Sequence, residues 1–153
     1  MSGSIGDNTA RASGVVASAG GGGLDPVFLV TKSGSESVTR SVTTFVGWDT
    51  EIYDSSSAFA SNKFTVPADQ GGMYFFHCRM NINDNGGSSR IMFYKNGADQ
   101  VTGTNESNSL TTDITWLVSL AAADYIETYV HAGEPSPAVQ TNSFFSGFKV
   151  LAA

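Results

Sequence analysis

The sequence predicts an all-β sandwich preceded by a short N-terminal arm. Of its 153 residues, 41% are hydrophobic and only 14% are charged, against roughly 25% charged in ordinary soluble domains. Much of the surface is therefore Ser, Thr, Asn and Gly. From Phe28 onward, apolar residues recur at every second position, which is the spacing of a half-buried strand. Gly-, Asn- and Pro-rich turns separate these runs at short intervals, a pattern typical of a sandwich or jelly roll.

Residues 1–26 are predicted to form an extended, Gly-rich arm outside the folded domain. All 17 aromatic residues lie at or beyond Phe28, whereas 7 of the 17 glycines lie in this segment. Without aromatic rings the segment cannot bury enough apolar surface to fold alone. It is either a terminus without a role or an arm that becomes ordered on a partner surface. In the second case, we expect the docking residues to be Ile5, Arg11, Val15, Val16 and Leu24.

The predicted domain, residues 27–153, alternates most clearly in four segments: 73–83, 110–120, 124–131 and 143–151. Between two of the runs, Asn96-Gly97 can adopt the positive φ angles of a tight hairpin turn. Nothing after Phe28 has the spacing of a long amphipathic helix. In the first segment the face predicted to point into the core carries Tyr74, Phe76, Cys78, Met80 and Ile82. The other face, predicted to point outward or to a subunit interface, carries His77, Arg79 and Asn81.

Four passages of short motifs follow one another between residues 40 and 151. They are KFTVP (63–67) with GMYFF (72–76), MFYKNG (92–97), LAAADYI (120–126) and FFSGFKVL (144–151). In order and spacing they resemble the globular domain of the C1q and tumour-necrosis-factor-like family, with its F-x-x-P…G-x-Y-x-F, K-N-G, leucine-then-G-D and F-S-G-F passages. Ala123 replaces the glycine usual in the third passage. In the last, Gly147 is expected where a side chain would crowd a neighbouring backbone.

The resemblance implies a jelly roll of about ten antiparallel strands that assembles as a compact homotrimer around a threefold axis. Tyr125 and Tyr129 share one face of a predicted strand, and in such a trimer they form part of the buried seam; alternatively they form a solvent-exposed aromatic patch. The chain lacks a collagen repeat and a heptad stalk, which disfavours a secreted defence collagen or a membrane-tethered cytokine. Residues 5–14 resemble short leader segments of bacteriophage structural proteins.

The residues that carry chemistry predict no catalytic site, cofactor or metal. Cys78 and His77 are adjacent in a strand, so their side chains point to opposite faces and cannot form a nucleophile–base pair. A single cysteine excludes an internal disulfide. Residues 81–86 look superficially like a calcium loop, but the first position is Asn and Met92 stands at the expected distal Glu. No phosphate-binding or nucleophile-elbow motif occurs.

Charge and hydropathy disfavour two classes of partner. The net charge of −6 works against nucleic-acid binding. No apolar stretch is long enough for a transmembrane helix, and residues 1–7 lack the features of a secretory signal. The polar loop 103–109 is the candidate ligand loop: it either hydrogen-bonds a sugar or is simply solvated. Its candidate ligand residues are Asn105, Glu106 and Asn108.

Together these features predict a non-enzymatic virion structural protein. The leading hypothesis is a trimeric capsid decoration (cement) protein on the virion surface, docked through its arm on the major capsid protein or another virion protein. An extended 26-residue arm reaches at most about 90 Å and provides no stiff shaft, and three arms strengthen attachment by multivalency. The alternatives are a tail-fibre tip or receptor-binding module that recognises a host glycan or surface protein, and a host-encoded C1q-like signalling or adhesion protein.

Overall fold

The computed structural model describes residues 24–83, 87–103, 106–107 (backbone only), 111–133 and 136–152. These residues contain no helix and form fourteen β-strands in two seven-stranded sheets. The strands are β1 (Val27–Thr31), β2 (Glu36–Ser37), β3 (Thr44–Phe45), β4 (Thr50–Asp54), β5 (Phe59–Ala60), β6 (Lys63–Thr65), β7 (Gly72–Asn83), β8 (Ser88–Lys95), β9 (Ala98–Thr102), β10 (Glu106–Ser107), β11 (Thr111–Leu120), β12 (Tyr125–Ala132), β13 (Ala138–Val139) and β14 (Phe144–Ala152).

The two sheets form the predicted all-β sandwich. The first sheet has the order β2-β13-β7-β14-β1-β4, and β11 also pairs with β7. The second has the order β10-β8-β12-β6-β5, with β9 paired to β8 and β3 paired to β12. The first and last strands, β1 and β14, pair antiparallel in the first sheet, so the two ends of the domain lie side by side.

Five of the fourteen strands are only two residues long, which explains the prediction of about ten. Two residues are too few to show an alternating pattern. Such short strands form because a longer neighbour offers free backbone groups: β3, for example, pairs with β12 at two positions only. The nine longer strands agree with the predicted number of about ten, and the predicted fold class is confirmed.

The core between the sheets is mainly aromatic. Along β7, Tyr74, Phe76 and Cys78 are fully buried, which confirms the predicted inward face. The ring centroid of Phe28 lies 5.0 Å from that of Phe64 and 4.8 Å from that of Phe145. The contact with Phe64 joins the two sheets, and the contact with Phe145 lies within the first sheet. Because each such ring removes roughly 150–250 Å² from water, these contacts supply much of the hydrophobic stabilisation.

Gly147 in β14 occupies a position where the core leaves no room for a side chain. A Cβ atom there would lie 2.4 Å from Cδ1 of Phe76 and 2.9 Å from Cε1 of Phe28. The sequence correctly indicates a crowded position, but the obstacle is the ring of a buried phenylalanine and not a neighbouring backbone. Only glycine allows β14 to lie this close to the ring of Phe76.

Two turns at one end of the second sheet use left-handed backbone. Asn96 and Gly97 have φ angles of 53° and 78°, which confirms the predicted hairpin turn between β8 and β9. Ala123, between β11 and β12, has a φ of 68°. Alanine is disfavoured in this region because its Cβ approaches the following carbonyl oxygen, so the glycine usual in the resembling family is the residue that fits this backbone.

Ala123→Gly is therefore expected to raise the free energy of unfolding by about 0.5–1 kcal/mol. The substitution removes roughly 1–2 kcal/mol of strain from the left-handed backbone. Glycine also gives the unfolded chain more conformational entropy, which offsets part of this gain. Chemical denaturation measures the change. The matched control is Ala122→Gly, an exposed neighbour for which only the entropic loss is expected; equal effects at the two positions would contradict this explanation.

The carboxylate of Asp124 joins these two turns. It accepts hydrogen bonds from Nδ2 of Asn96 at 2.8 Å and from the backbone N–H of Ala121 at 2.9 Å, and it forms an ion pair with Lys95 at 2.8 Å. The hydrogen bond from Asn96, followed by that from Lys95, lowers the pKa of Asp124 from 3.8 to about 2. The folded state therefore favours the ionised carboxylate.

This lowered pKa predicts an acid dependence of stability. The stabilisation by Asp124 is complete above its unfolded pKa near 3.8 and is lost as the pH falls towards about 2. Asp124→Asn should therefore be less stable than the parent at pH 6, and the difference should shrink by pH 2. Thermal unfolding across this range measures it. Asp69→Asn, which removes an exposed carboxylate, is the control; a pH-independent difference for Asp124→Asn would contradict the assignment.

Candidate functional site

The outward face of the first sheet is apolar across four neighbouring strands. The register places Phe75 of β7 beside both Leu117 of β11 and Phe148 of β14, and Phe148 beside Val27 of β1. These side chains form a continuous row across the sheet. We use the term apolar face for this row and its nearest apolar neighbours, namely Val27, Leu29, Met73, Phe75, Leu117, Phe144, Phe148 and Leu151.

In a single chain the apolar face meets solvent. Leu117 is 56% exposed and Leu151 is 65% exposed, and the other six members are half-buried. Phe75 and Phe148 contact each other with ring centroids 5.5 Å apart. Soluble monomers seldom leave large contiguous apolar patches in water. The face therefore has the composition of an interaction surface.

A polar pair lies within the same surface. Nε2 of His77 lies 3.1 Å from Oδ1 of Asp113, and the ring of Phe144 meets the imidazole edge-on at 4.9 Å. Arg79, which is opposite Asp113 in the register, is exposed. The predicted outward orientation of His77 is confirmed. These groups can give directional contacts within a surface that is otherwise apolar.

The predicted seam residues Tyr125 and Tyr129 lie on the other sheet. Both are on the outward side of β12, where the ring of Tyr129 lies 4.1 Å from that of Tyr94 and 5.4 Å from that of Phe45. Burial, followed by the nearby charge of Glu127, raises the pKa of the Tyr129 phenol. We call Phe45, Tyr94, Tyr125 and Tyr129 the tyrosine cluster. Its role in a seam stays a prediction.

Most of the other predicted site residues fall outside the described part of the chain. Leu24 is described and is 55% exposed, three residues before β1. The backbone of Glu106 belongs to β10. The residues outside the described ranges are Ile5, Arg11, Val15, Val16, Asn105 and Asn108. Their roles in docking and ligand binding stay predictions.

The described residues bring together no obvious catalytic groups. Within these ranges no three His, Cys, Asp or Glu side chains converge in an arrangement that could hold a metal ion. Burial raises the pKa of the Cys78 thiol well above its ordinary value, so the thiol is a core group, as predicted. In the same ranges no helix is long and apolar enough to cross a membrane.

An open cleft of about 520 Å³ lies at the end of the first sheet where β7 begins. Gly71, Leu120 and Ala121 line it, and Lys149 contributes its side chain. Nζ of Lys149 donates a hydrogen bond to Oε1 of Gln70 at 2.9 Å, so this ammonium group already has a partner. The polar residues Asp69 and Ser119 also line the cleft, beside small alanines.

Lys32 is a buried cation that the sequence reasoning did not single out. It is 8% exposed, and its Nζ donates to the carbonyl oxygen of Gly47 at 2.7 Å and to Oε2 of Glu36 at 2.8 Å. Oδ2 of Asp49 lies 3.7 Å away. Because all these partners lie within the segment from β1 to β4, the ammonium group organises the loops of that segment.

No protein-family model and no curated protein matches the chain. The globular domain of zebrafish complement 1qA superimposes with a TM-score of 0.61 and 16% sequence identity, covering 84% of this chain and 98% of that one. The fold is a C1q/TNF-like jelly roll. Murine APRIL is similar too, with a TM-score of 0.59 and 13% identity over 81% of this chain and 98% of that one.

These likenesses confirm the fold that the sequence motifs predicted. In this C1q/TNF-like jelly roll the apolar face is the outer side of the sheet containing β1, β7, β11 and β14, and the tyrosine cluster is the outer side of the other sheet. At such low identity the likeness establishes the fold and not the activity. The predicted bacteriophage context stays a prediction.

Proposed function

We propose that the protein is a non-enzymatic structural component of a virion: a homotrimer that docks on the capsid through the arm of residues 1–26 and decorates its surface. The apolar face carries the trimeric part of this proposal. It is a contiguous surface of aromatic and aliphatic side chains on one flat side of a jelly roll, with Leu117 and Leu151 more than half exposed. Packing against other copies removes this surface from water, at roughly 25 cal/mol per Å² of apolar area.

A ring of three copies suits this surface. In a head-to-tail contact, one part of the face packs on a different part of the same face in the next copy. Such contacts close into a ring when the rotation from one copy to the next is a whole-number fraction of a full turn. The row from Leu117 to Val27 spans four strands, so one end of it can pack on the other end in the next copy. The resemblance to the C1q and tumour-necrosis-factor-like family favours closure at three.

The same geometry positions the arms. The arm leads directly into β1, and Val27, the first residue of that strand, belongs to the apolar face. In a trimer that buries this face, the three arms therefore begin at the subunit interfaces. Once one arm has bound a capsid, the other two bind in effect intramolecularly, which raises the overall affinity.

Deleting residues 1–24 tests the docking role of the arm. The shortened protein should still fold and form trimers, because both the core and the apolar face lie beyond this segment. It should no longer sediment with capsids that lack the native protein, whereas the full chain should. Attachment that survives the deletion would contradict a docking arm.

The copy number per particle tests the virion role. Quantitative mass spectrometry of purified particles, with the major capsid protein as the reference, should find many tens to hundreds of copies. A handful of copies would favour the tail-tip or receptor-binding alternative instead. Absence from the particles would contradict both virion roles.

A further inference from the structure

We propose that the tyrosine cluster is a binding site for a neutral carbohydrate, with Tyr129 at its centre. This site lies on the second sheet and is separate from the apolar face used in the proposed trimer. The inference rests on the arrangement of the aromatic rings, on the polar groups around them and on the balance of their charges. It goes beyond a structural role, because it gives the decorated surface a recognition function.

The first observation is a stack of rings on adjacent strands. Tyr94 and Tyr129 are 4.1 Å apart between ring centroids with an interplanar angle of 32°, and Phe45 lies 5.4 Å from Tyr129. Met92 is opposite Tyr129 in the register and lies between the inward residues Ile91 and Phe93. Although Met92 occupies an outward position, it is only 2% exposed. Neighbouring side chains therefore cover Met92. Ring centroids only 4.1 Å apart require Tyr94 and Tyr129 to overlap face to face, so this pair presents to a ligand the outer faces and edges of a stack.

The second observation is an unpaired carboxylate among the tyrosines. Glu127 is opposite Tyr94 in the register and lies between Tyr125 and Tyr129 along β12. It is half-buried, yet within the described ranges its carboxylate has no hydrogen-bond or ion-pair partner. Asp99, on the other side of Tyr94, is exposed. Two acceptor groups thus flank the rings.

The third observation is that two cationic side chains lie on the same side of the second sheet as the rings. Nζ of Lys63 lies 4.4 Å from the ring centroid of Tyr125, and the outward-facing Arg90 is half-buried two residues before Met92. Together with Glu127 and Asp99, these two cations give the site a formal net charge of zero. A ligand with a net charge gains little here, whereas a ligand that both donates and accepts hydrogen bonds can use every group.

A pyranose ring has this chemistry. One face carries C–H groups that pack on an aromatic ring, and its edge carries hydroxyl groups that donate to carboxylates and accept from lysine or arginine. Tyrosine suits such contacts because it combines an apolar body with a polar end. A tyrosine phenol is protonated at neutral pH because its ordinary pKa is about 10, and burial raises the pKa of Tyr129 further, so its hydroxyl can donate.

Saturation-transfer NMR of the full chain with neutral di- and trisaccharides of glucose, galactose and mannose tests the proposal. At least one saccharide should bind, and Tyr129→Ala should weaken that binding at least tenfold. Glu127→Gln, which preserves the shape of the side chain, should weaken it severalfold. Tyr53→Ala is the matched control, since Tyr53 is 54% exposed on the first sheet, and it should have no effect.

Three outcomes would overturn the proposal: no saccharide in the panel binds, binding is unchanged in both Tyr129→Ala and Glu127→Gln, or Tyr129→Ala changes the oligomeric mass. The last result would make the tyrosine cluster a subunit seam. None of these results depends on capsid attachment. Failure of the sugar site and failure of the proposed virion role are therefore distinguishable.

Discussion

Gly147→Ala is expected to lower the free energy of unfolding by about 3 kcal/mol. The added methyl group would lie 2.4 Å from the ring of Phe76 and 2.9 Å from that of Phe28, far inside van der Waals contact. Both rings are fully buried and are packed against Phe145, so neither can move without displacing others. Overpacking of this kind costs about 1–3 kcal/mol and occasionally more, a large part of the stability of a typical domain.

Chemical denaturation of the parent and the variant measures this loss. Gly34→Ala is the matched control, because a Cβ at Gly34 would have no atom within 4 Å and the position is exposed. We expect the control to change the unfolding free energy by less than about 0.5 kcal/mol, as for ordinary surface substitutions. Equal effects at the two positions would show that β14 does not lie against the ring of Phe76 as described.

Leu117→Asp is expected to convert the trimer into monomers. Leu117 is 56% exposed in the single chain, so an aspartate there has little effect on the fold of one subunit. In the proposed trimer the same position is buried, and each of three subunits would bring an unpaired carboxylate into an apolar interface. Leaving a buried charge uncompensated costs several kcal/mol, so the dissociation constant should rise by at least about a hundredfold.

Sedimentation velocity over a range of concentrations measures the change. The control is Val42→Asp, which places the same charge at a position 49% exposed in the turn before β3, on the second sheet. It should leave the oligomeric state unchanged. If Leu117→Asp remains trimeric at the lowest concentrations while Val42→Asp dissociates, the interface lies on the second sheet, which carries the predicted seam residues Tyr125 and Tyr129.

The strands that the sequence predicted best are those whose pattern is local. Along β7, Tyr74, Phe76 and Cys78 alternate with His77 and Arg79, and this arrangement alone distinguishes the core side from the outward side. The tight turn at Asn96-Gly97 is likewise readable because only a few residue types tolerate its backbone. In both cases the information lies within a dozen residues.

The candidate site could not be predicted in the same way, because it depends on pairing between distant strands. Phe75, Leu117 and Phe148 are far apart in the chain and meet only through the register of β11, β7 and β14. A signal was present: the predicted strands carry large apolar residues on both faces, which is typical of strands covered on both sides. Tyr125 and Tyr129 were predicted as seam residues instead, because their spacing alone shows that they share one face of a strand.

The position of Tyr129 shows the same limit of local information. Its alternation with Val130 correctly predicts that it points away from the core, but a strand of either sheet has an outward side. Only the pairing of β12 with β8 brings Tyr129 beside Tyr94 and places Glu127 opposite Tyr94. The tyrosine cluster is thus a property of the folded sheet and not of any one segment.

The most direct test of the account is the mass of the intact protein in solution. Multi-angle light scattering during size-exclusion chromatography should give three times the 16.0 kDa mass of one chain, with the value unchanged on dilution into the low micromolar range. A mass of 16.0 kDa at every concentration would contradict burial of the apolar face between copies, and with it the trimeric virion protein proposed here.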